Sequence, residues 1–305
     1  MNRPRLNAES ITNINSEPLI DSIKSYFDSS EGPLYIMVPF ISNDVLMRLL
    51  ESKMDTEVCI VTSWRADHLK SGVSSLDLYP LCRKNGWTLY VNSKLHCKIY
   101  SDSFNSCIIT SANCTNRALT MYDGNIECLA FVNELDVGNR IELNRIISES
   151  ILVEDRVYKQ YVSWYQGLKI EPNEITDDPK ITDITKFYVF QLPAMDNPNI
   201  MWDYLINPDE YYDEADRIEH DLAIYSSNPY RYDDKEEFMD DIRYNFLTHP
   251  FIKTLEKEIT YDGIRFGAFR RLILNNCSNV PLPFRKDINE LSRNLYGWFV
   301  YLFPD

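Results

Sequence analysis

The sequence holds no run of about 18 consecutive apolar residues, the minimum for a helix that crosses a bilayer, so no membrane span is expected. No apolar stretch follows the arginines of the amino-terminal MNRPRLNAESITNINSEP, and no secretory signal is expected. No C-x-x-C pair occurs among the seven cysteines, and seven is an odd number. A disulfide framework and a structural zinc site are therefore both disfavoured. Most of these cysteines (Cys59, Cys82, Cys97, Cys107, Cys114, Cys128 and Cys277) lie inside apolar segments, where a free thiol behaves as a small hydrophobe. A reduced, cytoplasmic protein without metal or cofactor is expected. Histidine is scarce, with four in 305 residues, so each one is weighed singly.

Positive charge is also in deficit: 31 Lys and Arg stand against 46 Asp and Glu, a net charge of −15. That balance argues against a protein that simply coats nucleic acid. The deficit is local. Residues 1–150 carry 14 basic and 18 acidic residues, residues 171–240 carry 5 and 19, and residues 241–305 carry 9 and 7. Hydrophobic residues at 44% permit a sizeable core, and 305 residues suffice for two domains at about 100–200 each.

The first half alternates helical and strand patterns. Ser16 and Pro18 open a helix whose Leu19, Ile20, Ile23 and Phe27 recur at helical spacing. Residues 33–40 and 56–63 read as buried strands, with a helix over 43–53 between them. A helical stretch around 76–83 ends at Asn85-Gly86, a stop signal. Residues 87–91, 95–100, 107–110 and 126–132 read as strands, and 136–150 as a closing helix. Such alternation predicts an α/β fold with a mixed sheet. The domain boundaries expected are 1–150 and 171–305. EPNEITDDPK at 171–180 reads as a linker or surface loop, 186–240 shows no clear long period, and 236–259 is more helical. The carboxyl-terminal domain is expected to be smaller and mostly helical.

The chemistry concentrates in Leu95-His96-Cys97-Lys98-Ile99-Tyr100, then Thr110-Ser111-Ala112-Asn113, then Gly124-Asn125-Ile126-Glu127. Residues two apart in a strand share a face, so His96 and Lys98 project together, as do Ser111 and Asn113 at a strand end. If the three strands are neighbours, one patch holds an imidazole, an ammonium, a hydroxyl, a carboxamide and a carboxylate. An imidazole serves as nucleophile or acid, and the ammonium, amide and hydroxyl hold phosphate oxygens as charge builds. A carboxylate fixes the imidazole tautomer. The bland readings are a surface lysine, turn-forming Ser111 and Asn113, and a solvent-facing Glu127.

His-x-Lys followed by Ser-x-Asn resembles the signature of the phospholipase D superfamily. The text upstream, with Thr62-Ser63-Trp64-Arg65, Asp67, Gly72 to Asp77 and Leu89 to Asn92, is similar to its bacterial nuclease branch. The resemblance spans roughly residues 30–135. Ser103 stands where the family usually has Asp, and Thr110 where a Gly often precedes the Ser. Only one copy of the motif is present. His220-Asp221-Leu222 with Ser226-Ser227-Asn228 imitates a second, but Leu222 replaces the essential Lys.

The resemblance implies a phospholipase D-like mixed-sheet sandwich with helices on the faces. It implies a metal-independent phosphodiesterase, an endonuclease working through a phosphohistidine, with His96, Lys98, Ser111, Asn113 and Glu127 catalytic. A single copy implies a homodimer with the site on its axis, where Glu127 orients His96. The substrate implied is nucleic acid, DNA ahead of RNA, and the setting suggested is defence against foreign DNA. Arg65 is expected at the substrate rim, and Arg270 and Arg271 in a basic, aromatic surface for nucleic acid. The competing reading of that end is an ordinary small helical domain with Leu272, Ile273, Leu274, Leu291, Leu295, Trp298 and Phe299 as core. The acidic block 171–240 reads as a solvated surface, or as a segment that covers a phosphate site until displaced. Two other functions stand beside the nuclease: a restrained or non-enzymatic regulatory subunit with a protein partner on the acidic half, and a phospholipase. The lack of a basic amphipathic helix weighs against the last.

Overall fold

The computed structural model describes residues 12–15, 18–168, 187–188, 191–227, 232–257, 264–278 and 288–303. The chain divides into two compact units, Met1–Leu135 with Glu149–Ile181, and Asp136–Ser148 with Thr182–Asp305.

The first unit is an α/β assembly around an eight-stranded mixed sheet. Its elements are β1 (Thr12–Asn15), α1 (Ile20–Asp28), β2 (Leu34–Met37), α2 (Asn43–Leu49), β3 (Val58–Thr62), α3 (Ala66–Lys70) and α4 (Leu78–Asn85). They continue with β4 (Thr88–Val91), β5 (Ile99–Asp102), β6 (Ser106–Thr110), β7 (Glu127–Val132), β8 (Ile151–Leu152) and α6 (Asp155–Gly167), while α5 (Val137–Ser148) belongs to the second unit. The strand order is β1-β7-β6-β5-β2-β3-β4-β8. β2, β3 and β4 run parallel, and β5, β6 and β7 are antiparallel to their neighbours.

The elements follow from the sequence pattern. Leu34, Ile36, Val58, Ile60, Leu89, Val91, Tyr100, Ile108 and Leu129 share one face by alternation and are buried. Onto them pack Ile23 and Phe27 of α1, Val45, Leu46 and Leu49 of α2, Cys82 of α4, and Val157 and Tyr161 of α6. Each such side chain, fully buried, stabilises the fold by roughly 1.5–3 kcal/mol. α4 stops where Gly86 takes the left-handed conformation at φ 72°, which costs other residues a Cβ clash. α1 begins at Ile20, and Ser16 lies outside the described residues. The strand expected over 95–100 starts only at Ile99; its first four residues form an irregular approach to β5.

The second unit is helical: α5, α7 (Asn199–Ile206), α8 (Ala215–Tyr225), α9 (Lys235–Thr248), α10 (Pro250–Glu256), α11 (Phe266–Asn276) and α12 (Ile288–Leu302), with a parallel pair of β9 (Phe187–Tyr188) and β10 (Cys277–Ser278). The helix expected to close the first domain belongs instead to this unit. Ile141 of α5 enters its core with Tyr204, Ile218, Leu222, Phe246 and Trp298. Arg140 of α5 pairs with Glu219 of α8 at 2.7 Å. The chain then returns to the first unit, where β8 completes the sheet beside β4. The boundary at 150 is thus an excursion rather than an end, because α5 finds its apolar and ionic partners in the second unit. Residues 186–240, without a legible period, contain α7 and α8; buried Glu219, His220 and Asp221 on α8 mask its amphipathic pattern. Residues 171–180 lie outside the described residues.

Candidate functional site

The candidate residues gather at one end of the strands. β5 runs antiparallel to β2, β6 to β5 and β7 to β6. The carboxyl ends of β2, β3 and β6 therefore meet the amino ends of β5 and β7. His96 and Lys98 immediately precede β5, Ser111 and Asn113 immediately follow β6, Glu127 opens β7, and Arg65 follows β3.

Backbone bonds fix this convergence. Thr110 N donates to Lys98 O at 3.1 Å, and Ser111 N to Cys128 O at 3.1 Å. The segment after β6 is tied to the segment after β2 by a parallel bridge between Ile41 and Cys114, with Ser42 N donating to Cys114 O at 2.8 Å. The Thr110 hydroxyl caps the turn, donating to Cys128 O at 2.5 Å and accepting from Ala112 N at 3.0 Å.

Within this frame, the side chains fall into two groups. Ser111, Glu127 and Asn125 form a hydrogen-bonded cluster. The Ser111 hydroxyl donates to Glu127 Oε2 and accepts from Cys128 N at 3.0 Å, and Asn125 Nδ2 donates to Glu127 Oε1 at 3.1 Å. Glu127 is buried at 8% exposure, so both carboxylate oxygens need these donors. His96 and Lys98 are the more accessible pair. His96 is exposed, and its ring makes no hydrogen bond among the described residues. Lys98 Nζ donates to His96 O at 3.0 Å, which fixes the ammonium beside the imidazole-bearing residue.

Among the described residues the side chains that donate to Glu127 are Ser111 and Asn125. The physical reason is proximity across the β6–β7 ladder, which sets Ser111 beside the first residues of β7. Asn125 escaped the sequence reading, although Gly124-Asn125-Ile126-Glu127 was singled out, because a loop amide two residues before a strand carries no periodic signal. Asn113 Oδ1 is buried without a hydrogen-bond partner among the described residues. An unsatisfied buried amide oxygen costs about 1–3 kcal/mol.

Arg65 is exposed, and its Nε and Nη2 donate to the two oxygens of Asp67 at 3.1 and 3.2 Å. Burial raises the Asp67 carboxyl, and the Arg65 bonds and the neighbouring His68 more than offset it, leaving Asp67 below its usual value. The guanidinium, just beyond the carboxyl end of β3, thus shares its charge with Asp67. Arg270 and Arg271 belong to α11 of the second unit, both exposed. Phe269, Ile273, Leu291, Leu295 and Trp298 of the same end are buried as a helical core, whereas Leu274 is exposed.

The other histidines are engaged structurally. His68 Nδ1 lies 3.1 Å from Ser63 Oγ. His220 is buried on α8 with Nδ1 2.9 Å from Asp221 Oδ1, and Asp221 also accepts from Ala194 N and Met195 N. Those bonds make His220-Asp221 a clasp for the 194–195 loop; Asn228 of the imitation motif lies outside the described residues. His249 is mostly buried, and its Nδ1 has no hydrogen-bond partner among the described residues. Among the described residues no three His, Cys, Asp or Glu side chains gather as a metal site, and no helix is long and apolar enough to cross a membrane.

No protein-family profile matches the chain, and no curated protein sequence matches it. Among solved structures, the chain is similar to Nuc of Salmonella typhimurium, a phospholipase D family member, with 17% identity, 44% of this chain and 90% of that one covered, and a TM-score of 0.36. It is similar also to NucT of Helicobacter pylori, with 13% identity, 48% and 84% covered, and a TM-score of 0.30.

Proposed function

We propose that the chain is a phosphodiesterase of the phospholipase D type, an endonuclease whose nucleophile is His96. The observation that carries this reading is the convergence of His96, Lys98, Ser111, Asn113 and Glu127 at one end of the sheet, from the ends of three neighbouring strands. Sequence spacing alone does not require that convergence, and a chance His-x-Lys would lack it.

In this reading an imidazole nitrogen of His96 attacks phosphorus, the phosphorus–nitrogen bond forms, and the bond to the leaving oxygen breaks. His96 of the partner subunit gives its proton to that oxygen. It then takes a proton from water, and the water oxygen displaces His96 from phosphorus. Lys98 and the Asn113 carboxamide hold the non-bridging oxygens as charge accumulates. Ser111 and Asn125 hold Glu127 as a fixed negative charge beside the cationic groups. Metal is not needed in this scheme, since two lysines and two asparagines supply the stabilising charge and hydrogen bonds.

One motif copy supplies one imidazole, so the scheme requires a homodimer. A surface suited to it lies beside the site. Ile99, Ile109 and Ala130 are cross-strand neighbours on one face, and Ile109 is 48% exposed.

The test is cleavage of labelled single- and double-stranded DNA and RNA in excess chelator, with sedimentation of the same sample. Cleavage by a dimer, lowered about a thousandfold or more in His96→Ala, is the expected result. Cleavage only after adding a divalent metal, or by a monomer, would overturn the scheme.

A second reading is favoured by one observation. Several acidic residues of the second half, among them Asp209, Glu210, Asp213, Asp216, Glu236 and Glu237, are exposed. A chain held back by, or serving, a basic protein partner would present such a surface. Well-folded protein that cuts no substrate and associates only with another protein would favour it.

A further inference from the structure

Between Asn113 and Glu127 the chain forms a closed loop of which the chemistry above uses only Asn125. A helical turn over Asn116–Thr120 leads to Met121-Tyr122-Asp123-Gly124. The loop is tied at its base: Asn125 N donates to Arg117 O at 2.8 Å, Met121 N to Asn116 O at 3.1 Å, and Gly124 N to Met121 O at 3.3 Å. Gly124 packs so tightly on the Arg117 carbonyl that any Cβ there would collide with it. Asn116 Nδ2 donates to Asp44 at 2.7 Å, anchoring the loop to α2, while buried Ala118 and Leu119 enter the core.

From this rigid base two large apolar side chains project. Tyr122 is 80% exposed and Ile126 is 81% exposed, with Met121 also exposed. Arg117 is exposed, and among the described residues its guanidinium has neither an ion pair nor a hydrogen bond. Arg65, by contrast, is already paired with Asp67. A well-anchored loop that spends no aromatic or cationic side chain on its own stability, and whose two ends carry Asn113 and Glu127, is built to touch what lies in the site.

We infer that Tyr122 and Arg117 form a subsite for single-stranded nucleic acid, Tyr122 stacking on an unpaired base and Arg117 holding a flanking phosphate. The inference rests on the phosphodiesterase reading for its site and adds to it the strandedness of the substrate. Base stacking on an aromatic ring tolerates any sequence and needs the base face free, which a duplex does not offer. It also suits this chain's charge. At a net −15, long-range attraction to a polyanion is absent, so short-range stacking and a local cation have to supply the binding. The other occupant of so apolar a tip would be a second copy of the chain. The unpaired Arg117 at the same loop favours a phosphate-bearing strand.

The experiment measures binding rather than turnover, so that it stands apart from the catalytic reading. Full-length His96→Ala protein is titrated with a labelled oligothymidylate and with an abasic strand of equal length, each at two salt concentrations. Adding Tyr122→Ala should weaken binding to the thymidylate about tenfold and leave the abasic strand unchanged, and Tyr122→Phe should restore binding. Arg117→Gln should weaken both strands alike and lower the salt dependence. Equal loss on both strands for Tyr122→Ala, no loss on either, or a shift from dimer to monomer in sedimentation would overturn the subsite. Selective loss with the native chain cutting nothing would uphold the subsite and remove the enzyme.

Discussion

Ser111 and Glu127, 16 residues apart in sequence, are joined by a hydrogen bond from the serine hydroxyl to the carboxylate. The same hydroxyl accepts from Cys128 N, so Ser111 pins the start of β7 while orienting its first side chain. With Asn125 donating to its other oxygen, the carboxylate is held by the segment that follows β6 and by the loop that precedes its own strand.

Replacing Glu127 by Gln tests what the charge does there. The amide is isosteric and still accepts from one neighbour, so the fold should persist, with the melting temperature within a few degrees. Turnover on a single-stranded oligonucleotide should fall about a hundredfold, the scale of removing one preorganised electrostatic group. Turnover within twofold of native would show that the carboxylate only braces Ser111 and Asn125.

Gly297 offers a prediction of sign. In the middle of α12, Gly→Ala ordinarily gains about 1 kcal/mol of helix propensity. Here a Cβ would collide with the Asp196 carbonyl oxygen, backbone that is pinned because Trp298 Nε1 donates to Met195 O at 2.9 Å and Asn294 Nδ2 to Ala194 O at 2.8 Å. Gly297→Ala should lower stability by about 1–3 kcal/mol in urea denaturation, the cost of overpacking. A stabilised variant would mean that the 194–196 loop yields freely.

Arg140 and Glu219 tie α5 to α8. Arg140 Nε donates to both Glu219 oxygens, at 2.8 and 3.0 Å, and Tyr204 donates its hydroxyl to the same carboxylate. The Glu219 side chain is 2% exposed. Truncating it to Ala leaves a half-buried guanidinium without that countercharge, and unfolding free energy should drop by about 3 kcal/mol. A loss under about 0.5 kcal/mol would place the pair among surface ion pairs of little weight.

His249 should make stability depend on pH. Its Nδ1 is buried without a hydrogen-bond partner among the described residues, and burial lowers its pKa from 6.5 to about 4. The folded form keeps the ring neutral while the unfolded form takes a proton below 6.5. Stability is thus fully present above pH 6.5 and is lost as pH falls toward 4, at a slope approaching about 1.4 kcal/mol per pH unit. Denaturation midpoints measured between pH 7 and 4 should show this fall, and His249→Gln should flatten that part of the curve. An unchanged slope in the variant would assign the acid sensitivity to other groups.

Much was legible in the sequence because it is encoded locally. The short apolar runs over 33–40 and 56–63 read as buried strands, and Asn85-Gly86 as the end of α4, which the left-handed φ of Gly86 enforces. His96, Lys98, Ser111, Asn113 and Glu127 could be singled out by type and spacing, since a site of this kind draws its groups from strand ends. What the sequence left open were the partners. Glu127 binds Ser111 and Asn125 because of the β6–β7 register, which no single strand specifies. β8 is too short for a strand pattern and exists because β4 offers it an edge. α5 reads as the end of the first domain, yet Arg140 is satisfied by Glu219, 79 positions later, and Ile141 by core residues from Tyr204 to Trp298. α8 conceals its buried face behind Glu219, His220 and Asp221, whose burial is tolerable only once Arg140, Tyr204 and the 194–195 backbone supply hydrogen bonds. Spacing along the chain determines which residues share a face. Long-range pairing of buried polar groups depends on which faces meet, and that is decided only when the chain closes on itself.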